Sequence, residues 1–144
     1  MKKYELTSNF KLCFGRKLFQ IRALISFGGV EAGDLGGWIE SEDNLAQDGN
    51  AWVYGDARVY GDAEVRGNAE VMWISKIGSR NDTTTFFKTR IGIGVTCGCF
   101  FGTIDEFAER VEKTHGDNEH GRAYKLAIEL AKLRILRKDN ETEE

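Results

Sequence analysis

The middle of the chain alternates small or branched apolar residues with polar ones on a period of six. Four consecutive hexapeptides, GNAWVY, GDARVY, GDAEVR and GNAEVM, begin at residues 49, 55, 61 and 67. Each has alanine in third place and valine in fifth, and positions two apart share one face of an extended segment. Each opens with Gly-Asn or Gly-Asp, which tolerates a tight corner. The pattern predicts a solenoid of short strands with alanine and valine turned inward.

This repeat resembles the left-handed parallel β-helix of hexapeptide-repeat proteins, in which three hexapeptides make one coil. The register extends over residues 36–77, so the resemblance implies a helix of about two coils. Residues eighteen apart would then stack, which places Val53 beside Val71 and Tyr54 beside Met72. A solenoid this short has open ends with unpaired backbone and needs caps from the flanking chain.

Different patterns flank the repeat. Apolar runs predict a strand over residues 17–25 before it, and three antiparallel strands over 73–77, 83–88 and 91–96 after it. Thr103 and Glu106 form a capping-box sequence that opens a helix over 104–114, and apolar residues at helical spacing predict a second helix over 119–136. The predicted fold class is therefore mainly β plus α+β, with a three-stranded meander and two C-terminal helices. The predicted organisation is a β cap over 1–35, the coil over 36–77, an α+β lobe over 78–138 and a flexible tail over 139–144.

The chain as a whole resembles small bacteriophage and prophage proteins that join a hexapeptide coil to a compact α+β tail. The resemblance rests on GDLGGWIE at residues 33–40, on the GNAWVYGDARVYGDA run, and on a block within residues 77–116. It implies a fold and a phage context, in the cytoplasm of an infected or lysogenic bacterium. It implies no reaction.

Composition narrows the classes of partner. With 20 basic and 23 acidic residues the net charge is −3, so there is no overall positive field to attract nucleic acid. No apolar run approaches the roughly 20 residues that span a bilayer, and the first residues do not read as an export signal. Three cysteines are too few for a disulfide scaffold, which suits a reducing cytoplasm.

Polar and aromatic residues of the C-terminal lobe form a candidate site for a small anionic or nucleotide-like ligand. The first hairpin of the meander and the glycine-flanked segment before the first helix bring side chains to a helix N-terminus, whose free N–H groups suit an anion. Arg80 adds a bidentate contact, and Phe100 or Phe101 adds a stacking surface. The predicted ligand-binding residues are Ser79, Arg80, Thr84, Cys99, Phe100, Thr103, His115 and Tyr124.

A second candidate surface lies on the coil exterior. Large residues occupy the variable positions of the repeat, which the solenoid pattern places outward, and exposed aromatics favour an interface. The predicted interface residues are Trp52, Tyr54, Tyr60 and Met72. This surface would serve a homo-oligomer or a host protein partner.

Three kinds of reactive chemistry remain as alternatives. Hexapeptide coils are best known in acyltransferases, which use a histidine from the coil, but both histidines of this chain lie outside the repeat. Cys97, Cys99, His115 and His120 carry zinc-ligand atoms, although their spacing is unlike that of structural zinc sites. Cys99 with His115 would be the minimum for thiol catalysis, without an orienting third group. The prediction is therefore no catalytic set, no metal and no cofactor.

The sequence thus predicts a non-enzymatic, oligomeric, phage-type binding protein that antagonises a host defence process by sequestering a small anionic ligand. Three alternatives stay open. The first is a protein–protein inhibitor acting through the coil face, the second an acyltransferase-like enzyme, and the third a purely structural oligomer.

Overall fold

The computed structural model describes residues 2–98 and 100–136, which form two four-stranded sheets followed by two helices. The first sheet consists of β1 (Tyr4–Cys13), β2 (Arg16–Ala23), β3 (Leu35–Ile39) and β4 (Arg58–Val59). The second consists of β5 (Val71–Ile77), β6 (Asp82–Lys88), β7 (Ile93–Cys97) and β8 (Phe100–Thr103). The helices are α1 (Ile104–Thr114) and α2 (Glu119–Leu136). The predicted tail over 139–144 lies outside the described residues.

The predicted left-handed parallel β-helix is wrong. The strands of both sheets pair antiparallel except for β3 with β4. The parallel partners are Trp38 with Arg58, Ile39 with Val59 and Leu45 with Val65. Each of these pairs is twenty residues apart, whereas stacked coils of three hexapeptides require eighteen. The protein is a sheet-rich α+β fold.

Backbone pairing explains why the coil does not form. Two coils would leave the outward N–H and C=O groups of each coil at open edges, and backbone groups that become buried need partners. Strands from the flanks provide those partners. β2 pairs antiparallel with β3 on one side of the repeat, and on the other side Ala63 bridges Thr89 while the Glu64 N–H donates to the Lys88 carbonyl at 2.8 Å.

The repeat nevertheless turns its small residues inward, as its period predicts. The buried alanines and valines of the repeat are Ala51, Ala57, Ala63, Val53, Val59, Val65 and Val71, and Ala69 is half-buried. The outward placement predicted for Trp52 and Tyr60 is wrong, because these side chains are only 3% and 1% exposed. Tyr4 and Phe27 cover Trp52 with rings 6.1 and 5.3 Å away, both edge-on.

The second sheet is an antiparallel meander with one strand more than predicted. β5, β6 and β7 lie close to the three predicted strands. The additional strand, β8, pairs with β7 through partners such as Val95 with Gly102 and Thr96 with Phe101. The glycine-flanked sequence of this segment predicts only the lead into a helix.

The two helices begin and end where the capping residues and apolar spacing predict. Thr103 Oγ1 accepts the Glu106 N–H at 3.1 Å, and Glu106 Oε1 accepts the Thr103 N–H at 2.8 Å. Gly116, with φ of +59°, follows the end of α1, as a left-handed glycine does after many helices. Neither helix is long and apolar enough to cross a bilayer within the described part of the chain.

The edge of the first sheet is joined to the second by polar and aromatic contacts. The Arg58 N–H donates to Thr85 Oγ1 at 3.1 Å, and Thr96 Oγ1 donates to the Arg58 carbonyl at 2.9 Å. Tyr60 stacks on Phe101 with ring centroids 4.5 Å apart. Burial raises the pKa of Tyr60 to about 12, so its hydroxyl stays neutral at physiological pH.

We expect Gly36→Ala to destabilise the fold by about 2 kcal/mol. A Cβ at Gly36 would lie 2.6 Å from the Val53 carbonyl oxygen and 2.7 Å from Trp52 Cζ2, and a backbone oxygen cannot move away cheaply. Thermal denaturation of purified variants measures the loss. Gly29→Ala is the matched control, because a Cβ at Gly29 meets nothing within 4 Å. Equal melting temperatures for the two variants would contradict the close approach.

Candidate functional site

A cleft of about 260 Å³ opens where the turns of the second sheet meet the helices. Ser79 and Arg80 line it from the β5–β6 connection and Asp82 from the start of β6. Cys97 lines it from the end of β7, Gly98 from the β7–β8 connection and Phe100 from the start of β8. The helices and their connection contribute Phe107, Arg110, Val111, Thr114, His115 and Tyr124. We call this the sheet–helix cleft. Segments far apart along the chain converge on it, as is typical of ligand pockets.

Aromatic rings line the sheet–helix cleft. Phe107 lies 5.3 Å from Phe100 and 5.4 Å from Tyr124 between ring centroids, the latter edge-on at 89°. His115 stacks on Tyr124 at 5.8 Å and 27°. Gly78, with φ of +84°, lets the Tyr124 hydroxyl approach the backbone, because a Cβ there would overlap the hydroxyl. The cleft therefore offers flat apolar surface beside polar groups.

A short chain of polar side chains lies behind these rings. Thr84 Oγ1 donates to Cys97 Sγ at 3.1 Å, and Cys97 Sγ lies 3.6 Å from the Tyr124 hydroxyl. Burial is the main cause that raises the pKa of Tyr124 above its ordinary value, and its hydrogen bond with Cys97 adds to the shift. Tyr124 is therefore a neutral hydroxyl that positions the wall of the cleft and carries no charge toward a ligand.

The charge of the cleft is opposite in sign to that of the whole chain. Two arginines, Arg80 and Arg110, and one aspartate, Asp82, line it, so it has one more positive than negative group, whereas the chain has a net charge of −3. The Arg110 guanidinium carbon lies 5.4 Å from the centre of the Phe100 ring, within the range of a cation–π contact. Both arginines are exposed and reach the mouth of the cleft.

Comparison with known proteins yields one local similarity. No family model matches the chain. A curated protein of Escherichia coli strain K12, described as the uncharacterized acetyltransferase YdcK, is 54% identical over 37 residues. The match covers 26% of this chain and only 11% of that protein. Such a short match shows no family membership.

The structure brings five of the eight predicted ligand-binding residues together in the sheet–helix cleft. These are Ser79, Arg80, Phe100, His115 and Tyr124. Thr84 is fully buried behind the wall and contacts it through Cys97. Thr103 is exposed and caps α1 away from the lining. Cys99 lies outside the described residues.

The predicted anion position at the N-terminus of α1 is not where the cleft lies. The Thr103 hydroxyl already accepts a hydrogen bond from the Glu106 N–H, and Asp105 and Glu106 make the first turn of α1 acidic. The lining comes instead from the C-terminal half of α1. Phe107, Arg110, Val111 and Thr114 follow one another at intervals of three, one and three, the spacing of a single helix face. That spacing was the available signal for Phe107 and Arg110, which sequence reasoning missed.

The residues predicted as alternative reactive groups are only partly brought together. Cys97 and His115 both line the sheet–helix cleft, and the His115 and His120 rings are 5.6 Å apart. Among residues 2–98 and 100–136, no group of three or more histidine, cysteine, aspartate and glutamate side chains has a metal-binding arrangement.

The four predicted interface residues do not form one exposed surface. Trp52 and Tyr60 belong to the interior. Met72 is half-buried and packs on the core beneath the helices. Tyr54 alone is exposed, at 44%, and its ring lies 5.4 Å from that of Trp73.

Proposed function

We propose that the protein binds a small anion carrying a planar group, of the kind found in nucleotides, in the sheet–helix cleft. It acts as a binding protein and releases the ligand chemically unchanged. In a phage-infected bacterial cell such binding would withhold a signalling molecule from a host defence process. The proposal rests on one observation: two arginines and several aromatic rings line a cleft of an acidic protein.

Each part of the cleft has a role in this binding. Arginine donates two parallel hydrogen bonds to a phosphate or carboxylate. Arg80 lines the cleft from a sheet turn and Arg110 from α1. The Phe100 and His115 rings offer faces for a base or another flat group. Ser79 and Thr114 add hydroxyls at the wall, which can donate to an anion or accept from a base edge.

Calorimetric titration tests the proposal with defined probes: AMP, GMP, UMP, the cyclic mononucleotides, the parent nucleosides and inorganic phosphate. We expect at least one nucleotide to bind more tightly than both its nucleoside and inorganic phosphate, because the arginines and the rings contribute together. Arg110→Gln should weaken that binding by about tenfold to a hundredfold, since a hydrogen bond to a charged group is worth roughly 1.5 to 3 kcal/mol.

Lys113→Gln is the matched control, because Lys113 is an exposed cation of the same helix that does not line the cleft. It should bind the probe as the wild type does. No heat for any nucleotide, or equal affinity of the Arg110→Gln variant and the wild type, would overturn the proposed site. Recovery of a chemically altered probe by mass spectrometry would overturn the non-enzymatic part of the proposal.

Acyl transfer is a second candidate, favoured by the local match to the protein described as an acetyltransferase. Its test is separate from the first. If the chain transfers acetyl groups, acetyl-CoA in the presence of amine acceptors releases a free thiol that Ellman's reagent detects. Because the chain has cysteines of its own, thiol release has to exceed the sum of two controls, acetyl-CoA without protein and protein without acetyl-CoA. Release above that sum would favour this candidate over simple binding.

A further inference from the structure

The outer face of α2 carries a row of exposed leucines. Leu126, Leu130 and Leu133 are 72%, 45% and 68% exposed, and we call them the leucine stripe. The opposite face of the helix is buried on the second sheet and α1 through Tyr124, Ala127, Ile128, Ala131 and Ile135. A surface helix normally has one apolar face and one polar face, whereas α2 is apolar on two sides.

The spacing of the leucine stripe is that of a helix–helix seam. Leu126, Leu130 and Leu133 are separated by four and then three residues, which are successive d, a and d positions of a heptad. A stripe of this width fits into the side-chain holes of one facing helix. The best occupant is therefore another helix with the same seam, which a second copy of this chain supplies.

Charges beside the stripe select the orientation of that second helix. In the same heptad Glu129 is at position g and Arg134 at position e, and interhelical pairs between g and e positions set partner choice. A g position faces the e position five residues further on in a parallel partner, so Glu129 of each copy would face Arg134 of the other. The ion pairs found within the described residues include neither side chain.

We infer that α2 is the interface of a parallel homodimer whose two leucine stripes pack against each other. The interface is isologous, as in most homodimers. Residues 137–144, RKDNETEE, contain no apolar side chain that could cover the stripe instead. The stripe lies on the side of α2 opposite Tyr124, so dimerisation leaves the sheet–helix cleft accessible.

The expected dimer is weak. The leucine stripe spans seven residues, or about 10 Å of helix, so the interface falls at the small end of specific interfaces. Sedimentation velocity of the full chain at loading concentrations from about 1 µM to 1 mM should show a monomer that gives way to a species of twice its mass. A monomer at every concentration, or a trimer, would overturn the inference.

Substitutions on the stripe test its role directly. Leu126→Glu and Leu133→Glu should each leave only monomer over the same concentration range. Ile91→Glu is the matched control, because Ile91 is 90% exposed in the β6–β7 connection and far from the stripe in the chain, and it should dimerise as the wild type does. Circular dichroism confirms that each variant keeps its fold. Unchanged dimerisation of Leu126→Glu would assign the contact to another surface and overturn the proposal.

The charged pair tests the orientation. Glu129→Arg alone and Arg134→Glu alone should each weaken the dimer several-fold, and the double variant E129R/R134E should restore it. Failure of the double variant to recover would overturn the parallel arrangement. A wild type that stays monomeric yet cosediments with phosphatidylglycerol vesicles would assign the stripe to a lipid surface instead. Nucleotide titration of the Leu126→Glu monomer separates this inference from the proposed ligand site. Because the stripe lies away from the cleft, the monomer should bind the nucleotide as the wild type does.

Discussion

Replacing Asn44 by alanine should destabilise the protein by about 4 kcal/mol. Asn44 is only 1% exposed, and its amide makes four hydrogen bonds to backbone groups. Its Oδ1 accepts from the N–H groups of Glu40 and Ser41 at 3.1 Å each. Its Nδ2 donates to the carbonyls of Gly61 and Ala63 at 3.2 and 3.1 Å. The side chain thus ties a tight turn to a strand-like segment seventeen or more residues away.

Alanine at this position would leave four backbone groups without their partner, one of them in a fully buried hydrogen bond. Each unsatisfied buried group costs about 1 to 3 kcal/mol, and water recovers part of the loss at the other three. For a domain of this size we expect the melting temperature to fall by roughly 8 to 16 °C. Differential scanning calorimetry measures the change.

Asn50→Ala is the control for Asn44→Ala, since Asn50 is an exposed asparagine at a corner of the repeat and should change the melting temperature little. Asn44→Asp is a second test, because it keeps the two acceptor bonds but loses the two donors. It should also destabilise the protein strongly, since a carboxylate would face two carbonyls. If the Asn44→Ala and Asn50→Ala variants have the same melting temperature, the Asn44 amide does not hold the two segments together.

Replacing Trp52 by alanine should cost about 3 to 5 kcal/mol of stability. The indole is 3% exposed and is enclosed by the edge-on rings of Tyr4 and Phe27 and by Gly36. Removal of the ring leaves a cavity that these rigid neighbours cannot close. Chemical denaturation of the variant and the wild type gives the difference in free energy of unfolding.

Tyr54→Ala is the matched control for Trp52→Ala, because the two aromatics occupy neighbouring places in one hexapeptide. Tyr54 is 44% exposed and contacts the Trp73 ring on one side only, so we expect a loss of about 1 kcal/mol or less. Similar losses for the two variants would contradict the burial of Trp52. A Trp52 variant that loses partner binding would reflect unfolding, and Trp52 is therefore unsuitable for interface mapping.

Part of the candidate site could be predicted because its signals are local. Arg80 and Ser79 stand in a turn between two strands, and Phe100 stands between glycines, so the residue types mark both connections. Arg110 and Phe107 offer the same kinds of side chain as Arg80 and Phe100. They lie within a helix, however, and the sequence does not state which face of that helix turns toward the cleft. Only the packing of α1 on the second sheet turns their face toward the cleft.

Features that depend on neighbours a few residues away follow from the amino-acid sequence alone. Alanine and valine two apart face inward in almost every hexapeptide, Thr103 and Glu106 begin α1, and the apolar spacing of α2 marks its buried face. Hydrogen bonds and side-chain periodicity within one or two turns set these features.

Long-range packing settles which strand edges and which aromatic rings are covered. The repeat is compatible with a stacked coil, but β2 and the segment after β6 reach its edges and replace coil stacking by antiparallel pairing. Trp52 occupies an outward place in the repeat, and Tyr4, nearly fifty residues earlier, encloses it. The reason is physical: burial of an edge or a ring depends on long-range contacts whose partners no local pattern identifies.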